Sequence, residues 1–256
     1  MLICLDAGHY LGTPGKRCLK SIDPQETREW VLNARVADKL QEILAGYDCE
    51  TMRVDDVTGQ EEVTLYERVQ AANRAGADLY LSIHHNAGIN GGSGGGIVVY
   101  VCPEADGQSR RVQQAIYRHT VAQTGLKGNR ANPMPEGNLY VLNASAMPAV
   151  LGEFGFMDST TDTPIILTQA YAQQVAFGIT KALVEIYGLK EVETVTYEQW
   201  KEFMVRYQQE QGQLPPSDWA QEGLARAKER GITDATRPQS SATRQEVALM
   251  INAALE

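Results

Sequence analysis

The segment ADLYLSIH, residues 77–84, limits the choice of fold more than any other stretch of this chain. Its residues are apolar almost without interruption, which is typical of a strand whose two faces are both covered by helices. Such strands occur in parallel sheets, because the connections between parallel strands carry helices across the faces of the sheet. The segment therefore predicts an α/β domain with a largely parallel sheet.

The rest of the first part of the chain alternates between strand-like and helix-like segments, as such a domain requires. We therefore expect a mostly parallel, twisted sheet with helices on both faces over residues 1–188. The composition then changes, so we expect a linker at 189–195 and a small all-helical module at 196–256. The predicted strands cover residues 2–5, 50–54, 77–84, 97–102, 139–142 and 148–154, and the predicted helices cover 23–44, 64–75, 108–124 and 165–187.

Composition and charge argue against several classes of protein. A net charge of −9 disfavours a general nucleic-acid binder, since such proteins neutralise phosphates with clustered lysine and arginine. The sequence has no run of about 18 apolar residues, so we expect no membrane span. The four cysteines are far apart and form no CxxC pair, which argues against a disulfide framework or a cysteine zinc site.

Side chains that can bind metal or carry protons stand at the ends of the predicted strands. His9 follows the first strand, His84 ends the central strand, Glu153 ends the last strand, and Glu29 lies in the helix after the first strand. Carboxyl ends of parallel strands line one crevice. Two imidazoles and one carboxylate form a zinc set with an open position, and a further carboxylate would serve as general base. Taken alone, the pattern is also typical of an ordinary α/β domain with polar strand ends.

The sequence around these residues resembles one family. The segments LDAGH, EWVLNARVADKL, LYERVQAANRAGADLYLSIHHNA and MPAVLGEFGFMDS resemble, in this order, the zinc-dependent N-acetylmuramoyl-L-alanine amidases, bacterial and phage enzymes that cut peptidoglycan. The resemblance covers about residues 1–188. It implies that His9, Glu29 and His84 bind one zinc ion and that Glu153 is the catalytic base.

The resemblance also decides between neighbouring residues. His84 follows Ser-Ile, as the family's zinc histidine does, so His85 is predicted to face away from the metal as a rim or packing residue. Glu26 lies one helical turn before Glu29 and could face the same site. Glu29 is preferred because Asn33 follows it by four residues, as in the family pattern, and because Glu26 has a role in a predicted helix cap.

One further acidic residue stands beside the proposed ligands. Asp6, which follows the first predicted strand and stands just before the first ligand, is a candidate to orient His9. The alternative is that Asp6 only caps the turn that follows the strand.

The implied activity is hydrolysis of the amide bond between N-acetylmuramic acid and the L-alanine of the stem peptide in peptidoglycan. Two alternatives stay open at this point. The first is a zinc peptidase that cuts within the stem peptide, because the same metal chemistry would serve both reactions. The second is a non-catalytic protein that binds the cell wall.

The last part of the chain, SDWAQEGLARAKERGITDATRPQSSATRQEVALMINAAL, is similar to a single S-layer-homology repeat. The similarity implies binding to secondary cell-wall polysaccharide. The module could instead form a homodimer through its apolar face, or cap the enzyme. The amino terminus reads as a strand and not as a secretory leader. We therefore expect a prophage-type endolysin that is made in the cytoplasm, released by a holin-type route and active at the cell wall.

Overall fold

The computed structural model describes residues 1–192 and 195–255. The chain divides into two compact units, Met1–Val192 and Glu193–Glu256. The first unit has a sheet and two apolar cores, whereas the described part of the second unit contains helices and no strand.

A five-stranded sheet forms the centre of the first unit. Its strands are β1 (Leu2–Ala7), β2 (Glu50–Arg53), β3 (Leu79–Asn86), β4 (Ile97–Tyr100) and β5 (Ala149–Phe156). The order across the sheet is β2-β1-β3-β5-β4, with β1, β2, β3 and β5 parallel and β4 antiparallel beside β5. The carboxyl ends of β1, β3 and β5 therefore lie side by side.

Helices cover both faces of this sheet. Alternate residues of a strand point to opposite faces, so β1 contributes Ile3 and Leu5 to the larger core and Cys4 to the smaller one. The helices are α1 (Glu29–Leu44), α2 (Leu65–Ala75), α3 (Gly107–Thr124), α4 (Tyr140–Asn143), α5 (Thr163–Ile166) and α6 (Gln169–Tyr187). The larger core is completed mainly by α1, α3 and α6, and the smaller by α2 and α4. The predicted fold class is confirmed.

One predicted strand is wrong. Residues 139–142 form most of the short helix α4 instead of a strand. Val141 and Leu142 are buried in the smaller core from this helix. Four consecutive apolar or aromatic residues satisfy either structure, because so short a run carries no periodicity that separates a strand from a buried helical turn.

The predicted start of the first helix is also wrong. The side chain of Asp23 accepts hydrogen bonds from the backbone N–H of Gln25 (3.2 Å) and of Thr27 (2.7 Å), which closes a turn and not a helix. Glu26 has a φ of +49°, in the left-handed region that a right-handed helix excludes. As a result α1 begins at Glu29.

The segment that follows α6 was predicted to be a linker over residues 189–195. Leu189 is buried in the larger core, and the backbone N–H of Val192 donates to the carbonyl of Gly46 at 2.8 Å. These residues are part of the first unit. Residues 193–194 of the predicted linker, and residue 256 of the predicted module, lie outside the described residues.

The second unit contains α7 (Tyr197–Gln213), a single 3-10 turn at Asp218–Ala220, α8 (Gln221–Glu229) and α9 (Arg244–Leu255). Capping boxes begin α7 and α9. Several large apolar side chains in these elements are exposed, among them Trp219 at 88%. Across the described residues, every helix is too short or too polar to cross a membrane.

Candidate metal centre

The turn after β1 contains a residue, His9, whose backbone conformation is unfavourable unless its surroundings hold it. His9 has a φ of +69°, a left-handed backbone that costs of order 1–3 kcal/mol in a residue other than glycine. The residue before it, Gly8, must be a glycine because the His84 ring packs closely against its Cα atom. A Cβ atom on Gly8 would lie 2.0 Å from Cε1 of His84, so only glycine allows the His84 ring to rest against this turn.

Two histidines and one glutamate converge at the carboxyl end of the sheet. His84 comes from β3, His9 from the turn after β1, and Glu29 from the first residue of α1. Nδ1 of His84 lies 3.0 Å from Oε1 of Glu29, and Nε2 of His9 lies 3.3 Å from Oε2. One ligand atom from each residue falls within 4.8 Å of the other two, close enough for a single metal ion.

The Glu29 carboxylate has an unsatisfied position that a cation would fill. The residue is only 1% exposed, and its Oε2 has no hydrogen-bond partner among the residues that the structure describes. Lys16 Nζ approaches this oxygen to 3.6 Å without forming a hydrogen bond. Burying a carboxylate oxygen without a hydrogen bond costs folding free energy. The residues present therefore fit a divalent ion, and two imidazole nitrogens with one carboxylate form a set that zinc uses when it keeps an open position.

The charges of this cluster also suit metal binding. Burial alone would raise the pKa of Glu29, but the hydrogen bond to His84 and the His9 ring 3.3 Å away outweigh it and hold the pKa far below its ordinary range. Burial lowers the pKa of His9, so its imidazole is neutral at neutral pH. Metals bind deprotonated ligands, and an ionised Glu29 beside a neutral His9 meets this requirement. Burial would lower the pKa of His84, but its hydrogen bond to Glu29 and the Glu29 charge outweigh burial and raise that pKa, so a metal must displace a proton from this ring.

A second carboxyl group lies beside the cluster. Glu153 on β5 is the register partner of His84 on β3, so both side chains point to the same face of the sheet. Burial and, secondarily, the charge of Glu29 raise the pKa of Glu153 to about 7, against the opposing effect of His84. A carboxyl group that gains and loses a proton near neutral pH has the property that a general acid–base needs.

Comparison with known proteins shows the family of this chain. Residues 3–185 match the N-acetylmuramoyl-L-alanine amidase family. The chain belongs to this family. Membership of the N-acetylmuramoyl-L-alanine amidase family, predicted from the four sequence segments, is thereby confirmed for the first unit, while zinc dependence stays a prediction. The family match ends before the second unit begins.

Individual members of the amidase family are similar over most of their length. The sporulation-specific N-acetylmuramoyl-L-alanine amidase of Bacillus subtilis (strain 168) is 30% identical over 191 residues, which cover 73% of this chain and 69% of that protein. The endolysin of Bacillus phage SPP1 is 32% identical over 196 residues, covering 74% and 67% respectively. The crystal structure of an N-acetylmuramoyl-L-alanine amidase from Clostridium difficile 630 superposes with a TM-score of 0.65 at 26% identity, covering 73% and 96%.

The side chains of His85 and Glu26, the alternatives to His84 and Glu29 as ligands, have other partners. His85 is 2% exposed, and its Nδ1 lies 2.8 Å from Oδ1 of Asn33. Burial lowers the pKa of His85 to about 3, so it packs as a neutral side chain. Glu26 pairs with Arg17 at 3.2 Å and with Lys20 at 3.7 Å.

Asp6 contacts Arg68, a residue that was not predicted from the sequence to lie near the site. Its Oδ1 accepts a hydrogen bond from Nη1 of Arg68 at 2.6 Å, and its Oδ2 accepts from Tyr80 (3.0 Å) and Ser82 (2.7 Å). Burial would raise the pKa of Asp6, but the Arg68 charge and these hydrogen bonds outweigh it, so the pKa lies below its ordinary value. The same guanidinium reaches the carbonyl of His9 at 2.7 Å. Glu67 precedes Arg68 in α2, so the local sequence is that of an ordinary exposed helix face and gives no signal of this burial.

Proposed function

We propose that this member of the amidase family, a peptidoglycan hydrolase, cleaves the amide bond between N-acetylmuramic acid and L-alanine with one zinc ion held by His9, Glu29 and His84. The observation that carries the proposal is the convergence of their three ligand atoms within 4.8 Å in a chain of this family. Relatives named as N-acetylmuramoyl-L-alanine amidase and as endolysin support peptidoglycan as the substrate.

Zinc bound by these residues would lower the pKa of water from about 15.7 towards 7 and would polarise a carbonyl oxygen. The first role of the chain is to hold two imidazoles and one ionised carboxylate in place. Glu29 offers a carboxylate whose buried oxygen has no other hydrogen-bond partner among the described residues. His9 offers a neutral ring, because burial lowers its pKa.

Glu153 is the proton carrier in this proposal. It accepts a proton from the water that attacks the lactoyl carbonyl carbon. As the C–N bond breaks, Glu153 returns the proton to the leaving nitrogen. The products are a free carboxyl group on the muramic acid and a free amino group on L-alanine. In the metal-free chain the pKa of Glu153 is about 7, and the positive charge of a bound ion would lower it, which favours the ionised form that accepts the proton.

Mass spectrometry of digested peptidoglycan tests this proposal. The expected products are muramic acid residues with free carboxyl groups and stem peptides that begin with L-alanine. A chelator should abolish the reaction and added zinc should restore it. New ends inside the stem peptide would favour a zinc peptidase. Zinc binding without any product would favour a wall-binding protein without catalysis.

For the second unit we propose binding to secondary cell-wall polysaccharide, supported by its similarity to an S-layer-homology repeat. It contains a cavity of about 660 Å³ whose lining includes Asp234, Thr236 and Arg237, polar groups that suit a hydroxyl-rich ligand. Arg237 pairs with Glu246 at 3.3 Å on the same lining.

Sedimentation of the protein with purified cell walls tests the wall-binding proposal. Arg237→Ala should reduce the bound fraction. Arg226→Ala should leave it unchanged, because Arg226 is about as exposed as Arg237 (68% against 65%) and pairs with Glu222 outside the cavity lining. Equal binding by both variants and the original chain would contradict the proposal. A molecular mass measured in solution tests the homodimer, which stays a prediction, as does holin-type release.

A further inference from the structure

Three consecutive backbone carbonyls around His9 accept hydrogen bonds from buried side chains. Nη1 of Arg68 donates to the carbonyl of Ala7 at 2.8 Å, and Nη2 donates to the carbonyl of His9 at 2.7 Å. Between them, Nδ2 of Asn33 donates to the carbonyl of Gly8 at 2.9 Å. The backbone that carries His9 is therefore fixed on both sides of the residue by one guanidinium.

Arg68 is itself held rigidly. It is 2% exposed, its Nε donates to the carbonyl of Val63 at 2.8 Å, and its Nη1 meets the Asp6 carboxylate at 2.6 Å. The guanidinium is planar and presents its donors in a fixed fork. An arginine that is anchored through Nε and Nη1 can therefore set the position of the His9 carbonyl, which its Nη2 binds.

His9 has a conformation that needs such support. Its left-handed φ of +69° is sparsely populated in residues other than glycine, and such a backbone persists where its surroundings over-determine it. This conformation brings Nε2 of the ring to 3.3 Å from the Glu29 carboxylate. A relaxed backbone at His9 would rotate the ring away from Glu29 and His84.

We propose that Arg68 is a positioning residue that holds His9 in its left-handed conformation and so presents the His9 imidazole to the metal. The inference rests on the proposed function, in which His9 is a zinc ligand. An ion pair that only neutralised Asp6 would need one nitrogen of Arg68. Two of its hydrogen bonds go instead to the carbonyls of Ala7 and His9.

Zinc affinity of the full chain, measured by competition with a chromogenic chelator, tests the role of Arg68. Lysine keeps the positive charge beside Asp6 but lacks the fork, and methionine removes both. Because a lost outer partner typically weakens metal binding by about 10- to 100-fold, Arg68→Lys should fall near the lower figure and Arg68→Met near the higher. The visible absorption spectrum of the cobalt-substituted protein should change in both variants, since it reports the ligand geometry.

Val69→Ala is the matched control, because Val69 is the next residue of α2, is fully buried, and has an apolar side chain. It should lower the melting temperature of the metal-free protein while zinc affinity and the cobalt spectrum stay unchanged. Wild-type zinc affinity in Arg68→Lys would overturn the inference, and so would an equal loss in Val69→Ala. Should Arg68→Met fail to fold, Arg68→Lys decides. A wild-type chain that binds no zinc would instead refute the proposed function.

Discussion

Replacing Glu153 by glutamine should change how the stability of the metal-free protein depends on pH. Burial raises the pKa of Glu153 in the folded chain from its ordinary value of 4.5 to about 7. Between these two values the folded chain keeps the proton on Glu153, whereas the unfolded chain has released it. The free energy of unfolding must therefore fall as the pH rises through this interval.

The size of the effect follows from the two pKa values. Each pH unit between them lowers the free energy of unfolding by about 1.4 kcal/mol, so the whole interval from 4.5 to about 7 corresponds to about 3 kcal/mol. The contribution is fully present below pH 4.5 and is lost as the pH rises through about 7. Glutamine at this position does not titrate, so the free energy of unfolding of Glu153→Gln does not show this decrease.

Urea unfolding at a series of pH values, with chelator present, measures the difference. Trp200 and Trp219 are first replaced by phenylalanine in both chains, so that Trp30 on α1 alone reports unfolding of the first unit. We expect Glu153→Gln to gain stability relative to its parent by about 3 kcal/mol between pH 4.5 and 8. A difference that stays constant over this range would refute the raised pKa, and with it the basis for Glu153 as proton carrier.

Two further predictions concern the protein with zinc bound. Glu153→Gln should retain its zinc while hydrolysis of peptidoglycan falls by about 10²- to 10⁴-fold, the usual contribution of a general base, and loss of zinc together with activity would contradict this division of roles. Gly8→Ala should lose zinc, measured by metal analysis, because the added Cβ would lie 2.0 Å from the His84 ring. Gly107→Ala, where an added Cβ meets no atom within 4 Å, is the control and should keep its zinc.

Most strands could be predicted from sequence because they depend on local patterns, although β1, β3 and β5 each extend two residues beyond their predicted ends, to Ala7, Asn86 and Phe156. The apolar run before His84 indicates a buried strand, and the carboxyl ends of parallel strands share one edge of the sheet. His9, His84 and Glu153 were placed at that edge for this reason. The start of α1 was not predictable in the same way, because the sequence around Asp23 satisfies a capping pattern while Glu26 adopts a left-handed backbone.

Arg68 shows what sequence patterns omit. A charged residue on an amphipathic helix usually lies on the exposed face, and the segment around Arg68 fits that expectation. Its burial depends on Asp6, which is 62 positions away in the chain, and on the carbonyls of a turn whose shape is fixed only in the fold. Contacts of this kind between distant segments are set by the tertiary structure.

Anomalous diffraction at the zinc absorption edge, from crystals grown with zinc, tests the metal site most directly. We predict a single peak in the first unit, with one atom each from His9, Glu29 and His84 at about 2.0–2.3 Å. A peak bound by Glu26 instead of Glu29 would contradict the account. So would a protein that has bound zinc but shows no peak between His9 and His84.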